Sequence, residues 1–264
     1  MTIGSVQLAA RRWVRRAFAA ALAATPLAGA AQTLSLSPAV VPLGGRFGQS
    51  TRQTLTLTNG TARELAFELQ AHDVIVRDGV RVFVAAGEVP GSIAATAVFS
   101  TRKVSVPPGA TASVEVTLTL PPAAEHRAVV ALFRGVTRIR DDRGAAATAS
   151  LGTLLTFALS DSYSVAASEL TVRSQTPSRN LGFEQAFTND GLEPVVLKGV
   201  TAILNADGAL VGKVPSQPHR LLPGERASLR VDYAGELPSG RYRALATFDF
   251  VGRPLTRAAE FDVR

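Results

Sequence analysis

Val106-Pro107-Pro108-Gly109-Ala110-Thr111-Ala112-Ser113-Val114-Glu115-Val116 reads as a turn that opens a strand. Proline presets φ, glycine permits the reversal, and the alternation that follows sends successive side chains to opposite faces. The same order returns 115 positions later as Leu221-Leu222-Pro223-Gly224-Glu225-Arg226-Ala227-Ser228-Leu229-Arg230-Val231. Upstream of the two copies stand Thr58-Asn59-Gly60 and Thr188-Asn189-Asp190-Gly191; downstream stand Arg127-Ala128-Val129-Val130-Ala131-Leu132-Phe133 and Arg243-Ala244-Leu245-Ala246-Thr247-Phe248. Gly109 to Arg127 is 18 positions and Gly224 to Arg243 is 19. Each half is therefore read as one copy of a small all-β module, an organisation that suits binding or assembly better than catalysis.

Period-two runs at Leu34-Ser35-Leu36, residues 54–58 and residues 65–69 cannot lie still as helices. Asp78-Gly79, between Asp73-Val74-Ile75-Val76 and Arg81-Val82-Phe83-Val84, suits a tight hairpin because both residues tolerate positive φ. Seven or so strands at this spacing describe an immunoglobulin-like β-sandwich. The first copy is longer, and the extra length is assigned to residues 87–97, with one helical turn at residues 92–96. Residues 129–139 read as one long strand, residues 140–144 as a salt-bridged hairpin tip and residues 151–159 as the returning strand. Together they predict a protruding hairpin at the end of the first module. The expected boundary falls at Ser160-Asp161-Ser162, giving domains at residues 32–160 and 161–264 packed at a fixed angle. In the second, a final strand pair at residues 242–251 and 258–263 is joined through Gly252-Arg253-Pro254.

Arg11-Arg12-Trp13-Val14-Arg15-Arg16, an apolar run of 11 residues from Ala17 to Leu27, and Ala28-Gly29-Ala30 have the order of a cleaved export signal over residues 1–31. The apolar run is shorter than the roughly 20 residues that a spanning helix needs. The mature chain, starting at Ala31 or Gln32, keeps 24 of the 28 basic residues against 21 acids, and its formal charge falls from +7 to +3. A strongly basic nucleic-acid binder is not indicated. No cysteine is present, which excludes a disulfide framework, thiolate catalysis and a lipidated N-terminal cysteine. Ending at Phe261-Asp262-Val263-Arg264 without a membrane segment, the chain is expected to be soluble, exported to the periplasm or the cell surface.

Little in the sequence supports chemistry. His72, His126 and His219 lack metal-ligand spacing, so no metal or other cofactor is expected. His72-Asp73 reads as a strand-end histidine beside a solvated aspartate, because no nucleophile-elbow pattern accompanies it. Asp141-Asp142 lacks the spaced oxygen ligands of a calcium loop, and Gly44-Gly45-Arg46-Phe47-Gly48 does not open a helix after a strand. The expectation is a protein that is not an enzyme, with no catalytic residues and no small-molecule substrate.

The export signal, the two immunoglobulin-like modules and the long last hairpin of the first resemble the periplasmic pilus-assembly chaperones of the PapD type. Local support comes from Thr56-Leu57-Thr58-Asn59, from residues 106–116 and from residues 128–159. The resemblance implies that an exported pilus or surface-fibre subunit is bound by β-strand addition to the last strand of the first module. On that strand it assigns partner contact to Leu151, Leu155, Phe157 and Leu159, whose other reading is ordinary core. Two basic residues that hold the subunit's terminal carboxylate in that family belong on the first and last strands of this module. Pro38-Ala39-Val40-Val41 and Gly152-Thr153-Leu154-Leu155-Thr156 carry neither. Residues 89–135 also resemble surface-anchored bacterial proteins with tandem immunoglobulin-like ectodomains. The alternative expectation is thus a structural or adhesive cell-surface protein that makes contact through loops such as residues 87–97.

Overall fold

The structure is a computed structural model that describes residues 33–263 apart from residues 123, 138, 141–145 and 176–179. The export-signal residues and the Asp141-Asp142 tip lie outside the described residues. Residues Gln32–Arg264 form one compact unit.

The first sandwich comprises β1 (Leu34–Ser37), β2 (Val40–Gly44), β3 (Ser50–Asn59), β4 (Leu65–Arg77), β5 (Val80–Ala85), β6 (Val98–Phe99), β7 (Lys103–Val106), β8 (Thr111–Thr119), β9 (Ala128–Gly135), β10 (Ile139–Arg140), β11 (Ala146–Ala147) and β12 (Ser150–Ala158). One sheet has the order β1-β3-β8-β6 and the other β2-β12-β9-β4-β5, with β7 also on β4. The first strand changes sheets at Pro38: β1 runs antiparallel to β3, and β2 runs parallel to β12. Alternate side chains of the two sheets, among them Leu55, Leu57, Phe67, Val116, Phe133, Leu155 and Phe157, meet in one buried core.

The second sandwich comprises β13 (Val165–Ala167), β14 (Thr171–Gln175), β15 (Asn180–Asn189), β16 (Val195–Asn205), β17 (Leu210–Pro215), β18 (His219–Leu221), β19 (Arg226–Tyr233), β20 (Gly240–Phe250) and β21 (Arg253–Val263). Here β15 pairs with β13, β14 and β19, facing a sheet ordered β17-β16-β20-β21 with β18 on β16. Its separate core is built around Phe183, Phe187, Leu197, Ile203 and Phe248, and the Phe187 and Phe248 rings meet edge to face at 4.6 Å. The chain is thus two immunoglobulin-like β-sandwiches in tandem, and the only helical element among the described residues is one turn at Ala94–Thr96, inside the segment expected to carry it.

Two expected strands are divided differently. Residues 129–139 do not form one strand: β9 stops at Gly135, where the Val136 amide turns to the Ala66 carbonyl and the Thr137 hydroxyl accepts the Ala66 amide. A side chain thereby replaces a ladder partner, and β10 with β11 forms a separate two-stranded ladder. In the last hairpin, Arg253 and Pro254 belong to β21 and the turn is Val251-Gly252, with φ of +52° and +75°. Pro254 is tolerated because β21 is an edge strand.

The duplicated turns bond to each other within each copy. Asn59 is fully buried; its Nδ2 donates to the carbonyls of Arg63 (2.7 Å) and Val106 (2.8 Å), and its Oδ1 accepts the Thr61 amide. Asn189 repeats this: Nδ2 donates to Glu193 O (2.9 Å) and Leu221 O (3.1 Å), and Oδ1 accepts the Gly191 amide. The backbones are also tied, Gly109 N to Asn59 O and Gly224 N to Asn189 O. Replacing Asn59 by alanine strands the buried Val106 carbonyl, worth about 1–3 kcal/mol, and frees the part-buried Arg63 carbonyl. Asn59→Ala is expected to lower stability by about 1–3 kcal/mol in urea denaturation followed by circular dichroism. A loss below about 0.5 kcal/mol would contradict this role.

Candidate functional site

Strand β12 has two different edges. Toward β9 it is paired along its length, Ser150 opposite Arg134 through Thr156 opposite Ala128. Toward β2 it is paired only from Leu154 to Ala158. The Leu154 amide donates to Ala39 O on that side, so Gly152 and Ser150, two and four residues earlier, direct their amides the same way. No strand among the described residues lies there. A short open edge of this kind can accept an extended chain.

Side chains divide by parity along β12. Leu151, Leu155, Phe157 and Leu159 all face the core between the sheets; Leu155 and Phe157 are 0 % and 2 % exposed, and Leu151 and Leu159 pack half-buried against the same cluster. Leu155 and Phe157 hold the strand in the sandwich, and Leu151 alone of the four lies beside the open edge. The opposite face, Ser150, Gly152, Leu154 and Thr156, looks outward. There Ser150, Gly152 and Leu154, with His72, Val74, Arg81, Phe83, Val130 and Leu132, border an apolar groove of about 450 Å³.

A second cavity of about 420 Å³ lies between the sandwiches, bordered by Pro42, Thr156, Tyr163, Lys198, Arg220 and Asp249 among others. Arg220 is half-buried there, donates to Thr156 Oγ1 at 3.2 Å and has no carboxylate partner among the described residues. Burial, and then the Arg81 guanidinium, push its pKa below the ordinary arginine value. The two sides of the cleft are tied together: Arg81 pairs with Glu225 at 2.8 Å, the Arg226 amide donates to Gly79 O, and Glu193 accepts Leu159 N and Ser160 Oγ in the connecting segment. Val74, Ala128, Val130 and Leu222 form a small apolar contact across the same junction. The sequence gives no local sign of this cationic cleft, since it forms only when β16 and β18 pack beside β2 and β12.

Asp73 is not solvated as expected but fully buried, where it accepts His126 Nε2 at 2.8 Å, Ser92 Oγ and the Ala94 amide at 2.9 Å. The carboxylate is the hub, bonded to both serine and histidine. A nucleophilic triad instead needs histidine between the other two. Ser92 Oγ also accepts the amides of Gly87 and Ala95, so the group fastens residues 87–97 over the end of β4. Among the described residues no cluster of histidine and acidic side chains is placed to hold a metal ion, and no helix is long and apolar enough to cross a membrane.

No family model and no curated protein matches the chain. Solved structures that align with it include the class 5 fimbriae chaperone CfaA (12% identity, 88% of this chain and 99% of that one, TM-score 0.42). Another is the CsuC–CsuE chaperone–tip adhesion subunit pre-assembly complex from the archaic chaperone-usher Csu pili of Acinetobacter baumannii (9% identity, 86% and 97%, TM-score 0.42). A third is the E. coli chaperone DraB (12% identity, 88% and 98%, TM-score 0.40).

Burial pushes the Asp73 carboxyl up, but the hydrogen bonds from His126, Ser92 and the Ala94 amide outweigh it and hold its pKa below the ordinary value. The ionised group therefore stabilises the fold above the unfolded value, near pH ~4, and this contribution is lost as pH falls through the lower folded value. Asp73→Asn is expected to cost about 1–3 kcal/mol at neutral pH, and the gap to the unaltered protein should close as the solution is acidified below pH ~4. Thermal melts of the two proteins across that range test this; a gap independent of pH would contradict it.

Proposed function

We propose that this is a chaperone-like protein of the exported compartment, not an enzyme, that holds another exported polypeptide by adding one of its strands to the open edge of β12. The observation that carries the reading is the divided edge of one strand. Its trailing half is locked between β9 and β2 with Leu155 and Phe157 in the core, and its leading half offers, on the side away from β9, backbone groups that no strand among the described residues pairs. Strand addition draws affinity from main-chain bonds and specificity from alternate side chains. A core-anchored strand can supply such bonds without first being ordered. The resemblance in sequence to pilus-assembly chaperones makes a pilus or fibre subunit the leading partner class, and the export-type N-terminus suits a periplasmic location.

The cleft supports a second contact. An unpaired, half-buried guanidinium gains most from an anion that replaces its lost water, and a bound chain's terminal carboxylate is one such group. On this reading Arg220, helped by Lys198, does from the second sandwich what the missing basic pair would do from the first.

Co-expression of the exported protein with subunits encoded beside it is the direct test. A stoichiometric complex is expected with the unaltered protein. Ser150→Pro should abolish it while leaving the fold, because proline removes an outward amide and is tolerated at the first residue of a strand. Phe157→Asp should instead unfold the first sandwich, since an unpaired buried carboxylate costs several kcal/mol. A stable folded monomer that captures no subunit would overturn the reading, and stable display on the cell surface would favour the adhesive alternative. Separately, Arg220→Ala is expected to weaken capture by ~10–100-fold and to flatten its salt dependence; unchanged affinity would remove the cleft from the binding site.

A further inference from the structure

We infer that the groove outside β12 is the side-chain selector of the added strand, taking a large apolar residue opposite Gly152 followed two positions away by an acidic residue opposite Ser150. This rests on the strand addition proposed above. In a sheet, side chains directly opposite on one face touch, so the residue added opposite Gly152 lies over whatever Gly152 leaves uncovered. Gly152 lets Val130 lie flat on the strand: a Cβ there would stand 2.7 Å from Val130 Cγ2. Without one, the floor of the groove runs unbroken from the open edge across Leu154, Val130 and Val74 to Phe83 on β5. That crosses three strand spacings, about 14 Å. Phe83 is 61% exposed at its far wall. A ring laid across a strand glycine packs on apolar surface of this kind, and a volume of about 450 Å³ leaves room for one.

Charge decides the neighbouring position. On the same face, the row of Ser150 continues through Arg134 and Glu68 to Lys103. Arg134 and Lys103 share the single carboxylate of Glu68, at 2.8 and 3.5 Å, which leaves the row one positive charge in excess. Ser150 is too small to screen it, and the Arg134 side chain is 54% exposed. A carboxylate on the added strand opposite Ser150 meets this excess across two strand spacings, about 10 Å, which a long guanidinium side chain and a glutamate can close between them.

Synthetic nonapeptides test this on the purified protein by titration calorimetry. The probes are Thr-Thr-Val-Thr-Phe-Thr-Glu-Thr-Thr and its reversed sequence, to cover both strand directions, each with Phe→Ala and Glu→Gln versions. In one direction the Phe peptide is expected to bind at least ~10-fold more tightly than the Ala peptide. Gly152→Ala should erase that preference, and Leu132→Ala, which alters the groove wall and not the core, should reduce it. Arg134→Gln should equalise the Glu and Gln peptides and leave the Phe preference intact. Equal binding of the Phe and Ala peptides would overturn the selector and leave strand addition standing, whereas no binding by any peptide at millimolar concentration would overturn both.

Discussion

Each sandwich is closed by one buried asparagine. The amide of Asn59 reaches from the end of β3 to one carbonyl in the loop leading to β4 and another just before the turn that opens β8, and Asn189 does the same in the loop after β15 and before the turn that opens β19. A carboxylate could not substitute, because the site needs two donors and one acceptor at a single side chain. Fixing these two turns together sets the register in which β3 meets β8 and β15 meets β19. The opposing sheets then have only one way to interdigitate.

That constraint also accounts for what could be read from the chain alone. Asn59 and Asn189, and the Pro-Gly pairs at Pro108 and Pro223, stand in the same order because each copy must form the same bonds, so the duplication and the sandwich are visible without a structure. Strands bounded by strong turn residues, such as the Asp78-Gly79 hairpin, are equally plain. Less visible is anything that depends on a side chain taking a backbone's place. Thr137 ends β9 early, and no periodicity in residues 129–139 reveals it. Asp73 reads as solvated because its partners, Ser92, Ala94 and His126, lie 19 to 53 positions away.

Strand β12 stands out in the sequence by its pattern, but alternation does not say which face looks inward or which edge is covered. Leu155 and Phe157 stand where a donor strand's side chains would be sought, and both are core. What distinguishes β12 is that β2 stops covering it at Leu154, a fact about where another strand ends. Arg220 is hidden for a similar reason. It lies 64 positions from Thr156 and becomes a cleft residue only through the packing of one sandwich on the other.

The joint between the sandwiches uses parts that the two copies do not share. After the Pro-Gly of the first copy comes Ala110; after that of the second comes Glu225, which caps its own turn through Leu222 N and grips Arg81 with its other oxygen. Three residues beyond the hairpin aspartate, the first copy has Arg81 and the second has Leu210. The plug therefore exists only on the first module and the socket only on the second. Such a coupling is polar, like a hose fitting with one threaded end of each kind and none left over. A third copy of either module would find no free mate for this ion pair.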